Sequence, residues 1–100
     1  MFYVGVLEVL LEMEWNQSLK GKRKIVKSIL GKVKARFNTS VSEVGLNDNL
    51  RWARVGFTMG GPDAKLLDTS LERLLTFVED NAGALVYESI KDVQIFGEED

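Results

Sequence analysis

One hundred residues make one domain with one modest core, and 45% apolar and 28% charged residues are ordinary for a globular chain. Cysteine and histidine are both absent, which excludes disulfide staples, thiolate chemistry, and every general-base, metal or serine-nucleophile site built on histidine. The net charge of −2 hides a segregation: eight of the thirteen bases lie between Asn16 and Ser42 with no acid among them, leaving −10 on the remainder.

Residues Phe2 to Met13 are rich in Val and Leu, with Glu8 and Glu12 on one parity and Tyr3, Gly5, Leu7, Val9, Leu11 and Met13 on the other. This reads as a long central strand. The opening has no basic n-region, and Glu8 cuts its apolar run. No apolar run approaches the roughly 20 residues of a membrane helix, so the expected setting is the cytoplasm, away from membranes.

From Leu19 to Phe37 the period becomes helical. Leu19, Val26, Leu30, Val33 and Phe37 are spaced by three, four and seven, flanked by Ile25 and Ile29. Ser18 is the expected N-cap, and Asn38 is expected at the C-cap side. Thr39–Leu46 and Leu50–Gly60 read as two strands joined by Asn47-Asp48-Asn49, a hairpin turn. In the second strand Ala53, Val55, Phe57 and Met59 form one parity and Trp52, Arg54, Gly56 and Thr58 the other.

Gly60-Gly61-Pro62-Asp63 is a break, with Pro62 expected at the first helical position and Asp63 in the first turn. Ala64, Leu67, Leu71, Leu74, Leu75 and Val78 form the second helical stripe, which stops at Asn81-Ala82-Gly83. Ala84–Phe96 is the last strand, with a parity change that predicts a bulge between Ile90 and Val93. Residues 98–100 are expected as an acidic tail on a single domain spanning 1–97. The order βαββαβ with right-handed crossovers is the ferredoxin-like α+β sandwich: two helices on one face of a four-stranded antiparallel sheet, the other face open.

On a helical wheel with Leu19 at zero, Arg23, Lys34, Lys27, Lys20 and Lys24 share one arc at about 40° to 140°, and the apolar stripe runs from about 240° through zero to 20°. Gly21, Ser28 and Ala35, spaced by seven with Gly31 nearby, form a small-residue stripe beside the bases. The first turn carries Lys20, Lys22 and Arg23 where the helix dipole prefers acids, and no acid at i±3 or i±4 offsets them. Ser18, Lys20, Lys22, Arg23, Lys24, Lys27 and Lys34 are therefore the candidate anion- or RNA-binding set. Three readings stand side by side: a solvated lysine face, contact with the phosphates of structured RNA, and docking on an acidic protein. No aromatic residues interleave with the bases in the RNA-recognition pattern, and the central strands show no paired aromatic platform, so single-stranded stacking is not expected.

The open sheet face is expected to carry Val4, Val6, Leu10, Trp52 and Arg54, with Phe2, Glu8 and Glu12. That apolar patch predicts a homodimer through the sheet; the alternative is a monomer with Trp52 covered by the hairpin loop or the last strand. Trp15 is expected to staple the strand exit to the first helix. Glu12 and Glu14 share a parity, but a rim pair of acids is ordinarily solvated. Gly60-Gly61 lacks the Walker pattern and reads as turn chemistry. Acylphosphatases share this size and fold, yet their glycine-rich loop and catalytic arginine are not visible here. No catalytic residue, metal site, cofactor or small-molecule substrate is expected, and the chain is read as a non-enzyme.

The chain resembles the YlxP-like family of small bacterial proteins of unknown function. The resemblance lies in Val4-Gly5-Val6-Leu7-Glu8, in Gln17-Ser18-Leu19-Lys20-x-Lys22-Arg23-x-x-Val26-Lys27-Ser28 and in Arg36-Phe37-Asn38-x-Ser40-Val41-x-Glu43-Val44. It continues through Trp52-x-Arg54-x-Gly56 and Phe77-Val78-Glu79. It implies a ferredoxin-like fold, dimers, and an association with ribosomes or RNA, and it supplies no catalytic residues. Members commonly carry an acid where Gly21 stands, so this helix start is more purely basic than the family pattern. The leading expectation is a cytoplasmic protein that binds structured RNA or the ribosome through its first helix. The alternative is a dimeric module docking an acidic protein partner.

Overall fold

A computed structural model describes residues 1–99. The elements are β1 (Phe2–Glu12), α1 (Leu19–Arg36), β2 (Ser40–Gly45), β3 (Trp52–Gly61), α2 (Ala64–Asn81) and β4 (Leu85–Phe96). The sheet order is β2-β3-β1-β4, with every neighbouring pair antiparallel. This is the ferredoxin-like arrangement expected from the element order, with both crossovers placing helices on one face. No described helix is long and apolar enough to cross a membrane.

The period-2 pattern decides which face of the sheet is buried. Gly5, Leu7, Val9 and Leu11 of β1 and Ala53, Val55, Phe57 and Met59 of β3 point to the helices. They meet Val26, Ile29 and Val33 of α1 and Leu67, Leu71, Leu74 and Val78 of α2, which sit at helical spacing. Gly5 lets α2 close on the sheet: a β-carbon there would lie 2.9 Å from Leu71 Cδ1 and 3.0 Å from Leu67 Cγ.

Four local details differ from the sequence pattern. Asp63, not Pro62, starts α2: its side chain accepts the Leu66 N–H at 3.0 Å as N-cap, and Pro62 precedes the cap. The C-cap of α1 is Phe37 in extended backbone, not Asn38, because its ring packs edge-on against Phe77 of α2 at 5.5 Å. The irregularity in β4 is not at Ile90–Val93. Leu10 pairs with Glu88 and Leu11 with Val86, so Tyr87 is the extra residue. Ile90 misled the parity because it lies on the open face, while Lys91, opposite Leu7, points to the helices and pairs with Asp68 and Glu72 of α2. A second irregularity, at Val44 between Glu43 and Gly45, bends the short edge strand β2. After α2, Gly83 adopts φ 66°, the left-handed conformation suited to ending a helix. Of the expected tail, Glu98 and Glu99 are exposed, and the Glu98 carbonyl accepts from the Met1 amino group at 2.6 Å. Asp100 lies outside the described residues.

Candidate nucleic-acid interface

Ser18 caps α1 as expected, its Oγ accepting the Gly21 N–H at 3.0 Å. Lys20, Arg23, Lys24, Lys27 and Lys34 are all exposed. Among the described residues none of the five has a carboxylate within 4.0 Å. The acidic body does not fold back onto this stripe. Five of its acids are engaged by other cations: Glu12 and Glu14 by Arg51, Glu8 by Arg54, and Asp68 and Glu72 by Lys91. Hydrogen bonds to Glu12 and Glu72 respectively hold Arg51 and Lys91 above their ordinary pKa values. Lys32 and Arg36, two further cations of α1, face α2: Lys32 Nζ donates to the Asn81 carbonyl at 3.4 Å, and Arg36 lies over the Phe77 ring.

Lys22 is a correction. It is 1% exposed and cannot reach an external phosphate. Its ammonium donates to the Leu46 carbonyl and lies 3.3 Å from Glu43 Oε2 on β2. The wheel contains the signal, because Lys22 falls near 300°, in the middle of the apolar stripe. Glu43 carries it too, sharing a strand parity with the inward Val41. The bond to Leu46, whose φ is 61°, ties α1 to the β2–β3 turn.

Gly21 is a second correction. It is not part of a smooth outer stripe, since a β-carbon there would meet Asn16 Oδ1 at 2.5 Å. Asn16 Nδ2 donates to the carbonyls of Ser18 and Leu50, both at 2.8 Å, so the β1–α1 loop and the hairpin turn are pinned together beside the helix start. Ser28, Gly31 and Ala35 remain exposed. Beside the stripe a shallow groove of about 550 Å³ runs between α1 and β2, with Arg23, Lys27 and Lys34 on its rim and Val26, Leu30 and Val41 within it.

Trp15 is a third correction, for it staples nothing and is 61% exposed. The staple positions flanking a Ser18 cap are Gln17 and Lys22, both polar, and Trp15 stands two residues too early.

On the far side of the sheet, Val6 is exposed while Val4, Leu10, Trp52 and Arg54 are half-buried on the same open face. Tyr87 packs edge-on against Trp52 at 5.1 Å, and Arg51 lies over the indole. Arg54 Nη1 bonds Glu8 Oε1 at 2.6 Å. Phe2, Val44, Leu85, Ile90 and Phe96 widen the exposed apolar surface. Gly56 leaves a depression of about 280 Å³ between Val6, Val44 and Ile90.

The fold and the site thus define a class: an open-faced βαββαβ sandwich with one unpaired basic helix face. The chain belongs to the family described as "Protein of unknown function (DUF503)", whose pattern matches residues 4–90. It is 38% identical over 64 residues to "Uncharacterized protein YlxP" of Bacillus subtilis (strain 168), a match covering 62% of this chain and 67% of that protein. Among solved structures it is similar to "De novo designed protein Foldit4" at 17% identity, with a TM-score of 0.57 over 97% of this chain and all of that one; this likeness speaks for the fold alone. The family expectation drawn from the residues is met.

Proposed function

We propose that this protein is a non-catalytic, cytoplasmic binder of structured RNA, such as ribosomal RNA, and that the outer stripe of α1 contacts the phosphates. The observation that carries the reading is the five-cation stripe of Lys20, Arg23, Lys24, Lys27 and Lys34, all exposed on one helix face and, among the described residues, with no carboxylate within 4.0 Å. Unneutralised like charges on one face repel, and an anionic backbone removes that repulsion and releases counterions. The helix start, with no acid in its first turn, favours anions further. An acidic protein would satisfy the same charges, but the long regular stripe matches a repeating phosphate backbone better than scattered carboxylates.

The test is binding to labelled ribosomal RNA fragments across a salt series. Five phosphate contacts give a slope of log affinity against log salt of roughly −3.5 to −4.5. Changing Lys20, Arg23, Lys24 and Lys27 together to Gln removes most of that slope. No binding at low salt defeats the reading and turns attention to an acidic protein partner.

A second reading concerns assembly. The open face presents Phe2, Val6, Ile90 and Phe96 to solvent around half-buried Val4, Leu10 and Trp52, an apolar surface suited to a second copy of the chain. The Glu8–Arg54 pair brings both signs of charge to the same face, as a self-complementary contact requires. Sheet-to-sheet pairing leaves both α1 stripes outward and makes the RNA contact bivalent. Sedimentation decides: the wild type is expected as a dimer and Val6→Glu as a monomer, and identical monomers end the idea.

A further inference from the structure

The loop that enters the basic helix carries an aromatic residue that the packing leaves unused. Trp15 is the more exposed of the two tryptophans, and no aromatic or cation contact covers its ring among the described residues. Trp52, by contrast, is occupied by Tyr87 and Arg51. An exposed indole keeps a large apolar surface with a polar tip in water, and covering that surface is favourable.

Its position is set. Trp15 lies three residues before the Ser18 cap, so the two α-carbons are at most about 11 Å apart. Lys20, Arg23 and Lys24 start the stripe immediately beyond. The loop is anchored on both sides of the ring. Met13 N–H donates to the Arg51 carbonyl at 2.6 Å, Asn16 N–H donates to the Met13 carbonyl at 3.0 Å, and the Asn16 side chain grips Ser18 and Leu50. The indole is thus carried by an anchored turn that leads directly into the helix bearing the cations. The one acid beside it in sequence, Glu14, has the Arg51 guanidinium 3.9 Å away to offset its charge.

We infer that Trp15 is a stacking platform for an unpaired RNA base, and that the ligand is RNA in which a loop or bulge adjoins a helical stem. This inference rests on the RNA reading above and narrows its substrate. Phosphates of the stem run along Lys20 to Lys34, and the first unpaired nucleotide turns its base onto the indole. A fully paired duplex keeps every base in its own stack and offers none to Trp15, so it binds through phosphates alone.

The test uses Trp52→Phe protein, in which Trp15 is the single tryptophan. Two RNAs of equal stem length are titrated, a stem closed by a six-nucleotide loop and the same stem as a blunt duplex. The loop RNA is expected to quench Trp15 emission and the duplex is not. In the wild-type background Trp15→Ala should weaken loop-RNA binding roughly 5- to 150-fold, leave duplex binding unchanged, and leave the salt slope unchanged. Trp15→Phe should restore most of the loss. If both RNAs bind equally, without quenching and without an effect of Trp15→Ala, the stacking inference is overturned while the basic stripe stands. If neither RNA binds at low salt, the stripe and the platform fall together.

Discussion

Replacing Lys22 with Met is the sharpest test of how this fold divides its cations between structure and surface. The methionine fills much of the lysine volume but removes the ammonium that bonds the Leu46 carbonyl and faces Glu43. Breaking a buried ion pair from one side costs about 3–5 kcal/mol, because the remaining charge is stranded. Glu43 Oε2 is buried where it faces Lys22, but the side chain as a whole keeps 20% of its surface exposed, so turning toward water tempers the loss to about 2–4 kcal/mol. Against a total stability of about 5–15 kcal/mol that is severe, and in urea it lowers the unfolding midpoint by roughly 1–2 M. Glu43→Leu alone strands Lys22 and is similarly harmful. The double variant Lys22→Met/Glu43→Leu strands nothing and should return to within about 1 kcal/mol of the wild type. RNA affinity of the folded Lys22→Met protein should match the wild type, whereas Lys24→Gln weakens it. A loss below about 1 kcal/mol for Lys22→Met with strictly additive singles, or an RNA defect in folded Lys22→Met, would refute the assignment.

Gly5→Ala drives a methyl into buried Leu67 and Leu71 and should cost about 1–3 kcal/mol, whereas Gly56→Ala meets only the exposed Val44 and should be near neutral; thermal melts compare the two. Lys20→Glu is expected to act in opposite directions. At low salt it stabilises the start of α1 by about 0.3–1 kcal/mol in denaturant unfolding while reducing RNA affinity in the same buffer. Hydrogen bonds donated to Glu72 and Asp68 hold Lys91 above the ordinary lysine value of 10.5. The group is charged more firmly in the folded state, so its contribution is full below that value and is lost as pH rises through the folded one. Lys91→Met should therefore flatten the alkaline limb of a stability–pH curve, and an unchanged limb would discount the pair.

The element order, the buried parity of β1 and β3 and the stripes of both helices are legible in the amino-acid sequence because burial on one face imposes periods of two and of about 3.6. That order alone dictates a ferredoxin-like sheet with one open face. The outer arc of Lys20, Arg23, Lys24, Lys27 and Lys34 was legible for the same reason: a helix face opposite an apolar stripe points to water. The fates of individual polar and aromatic groups were not, because they depend on what other elements bring to the same place. Lys22 is buried because β2 delivers Glu43 and the turn delivers the Leu46 carbonyl, two partners more than twenty residues away. Trp15 is exposed on a loop that Asn16, packed beside Gly21, ties to Ser18 and to Leu50 of the hairpin turn. The β4 bulge falls at Tyr87, whose ring meets Trp52 across the open face of β1. Sequence by itself determined which surfaces exist, through local periodicity and charge; only tertiary packing decided which groups on them are already satisfied and which are left for a partner, since a long-range contact has no local signature.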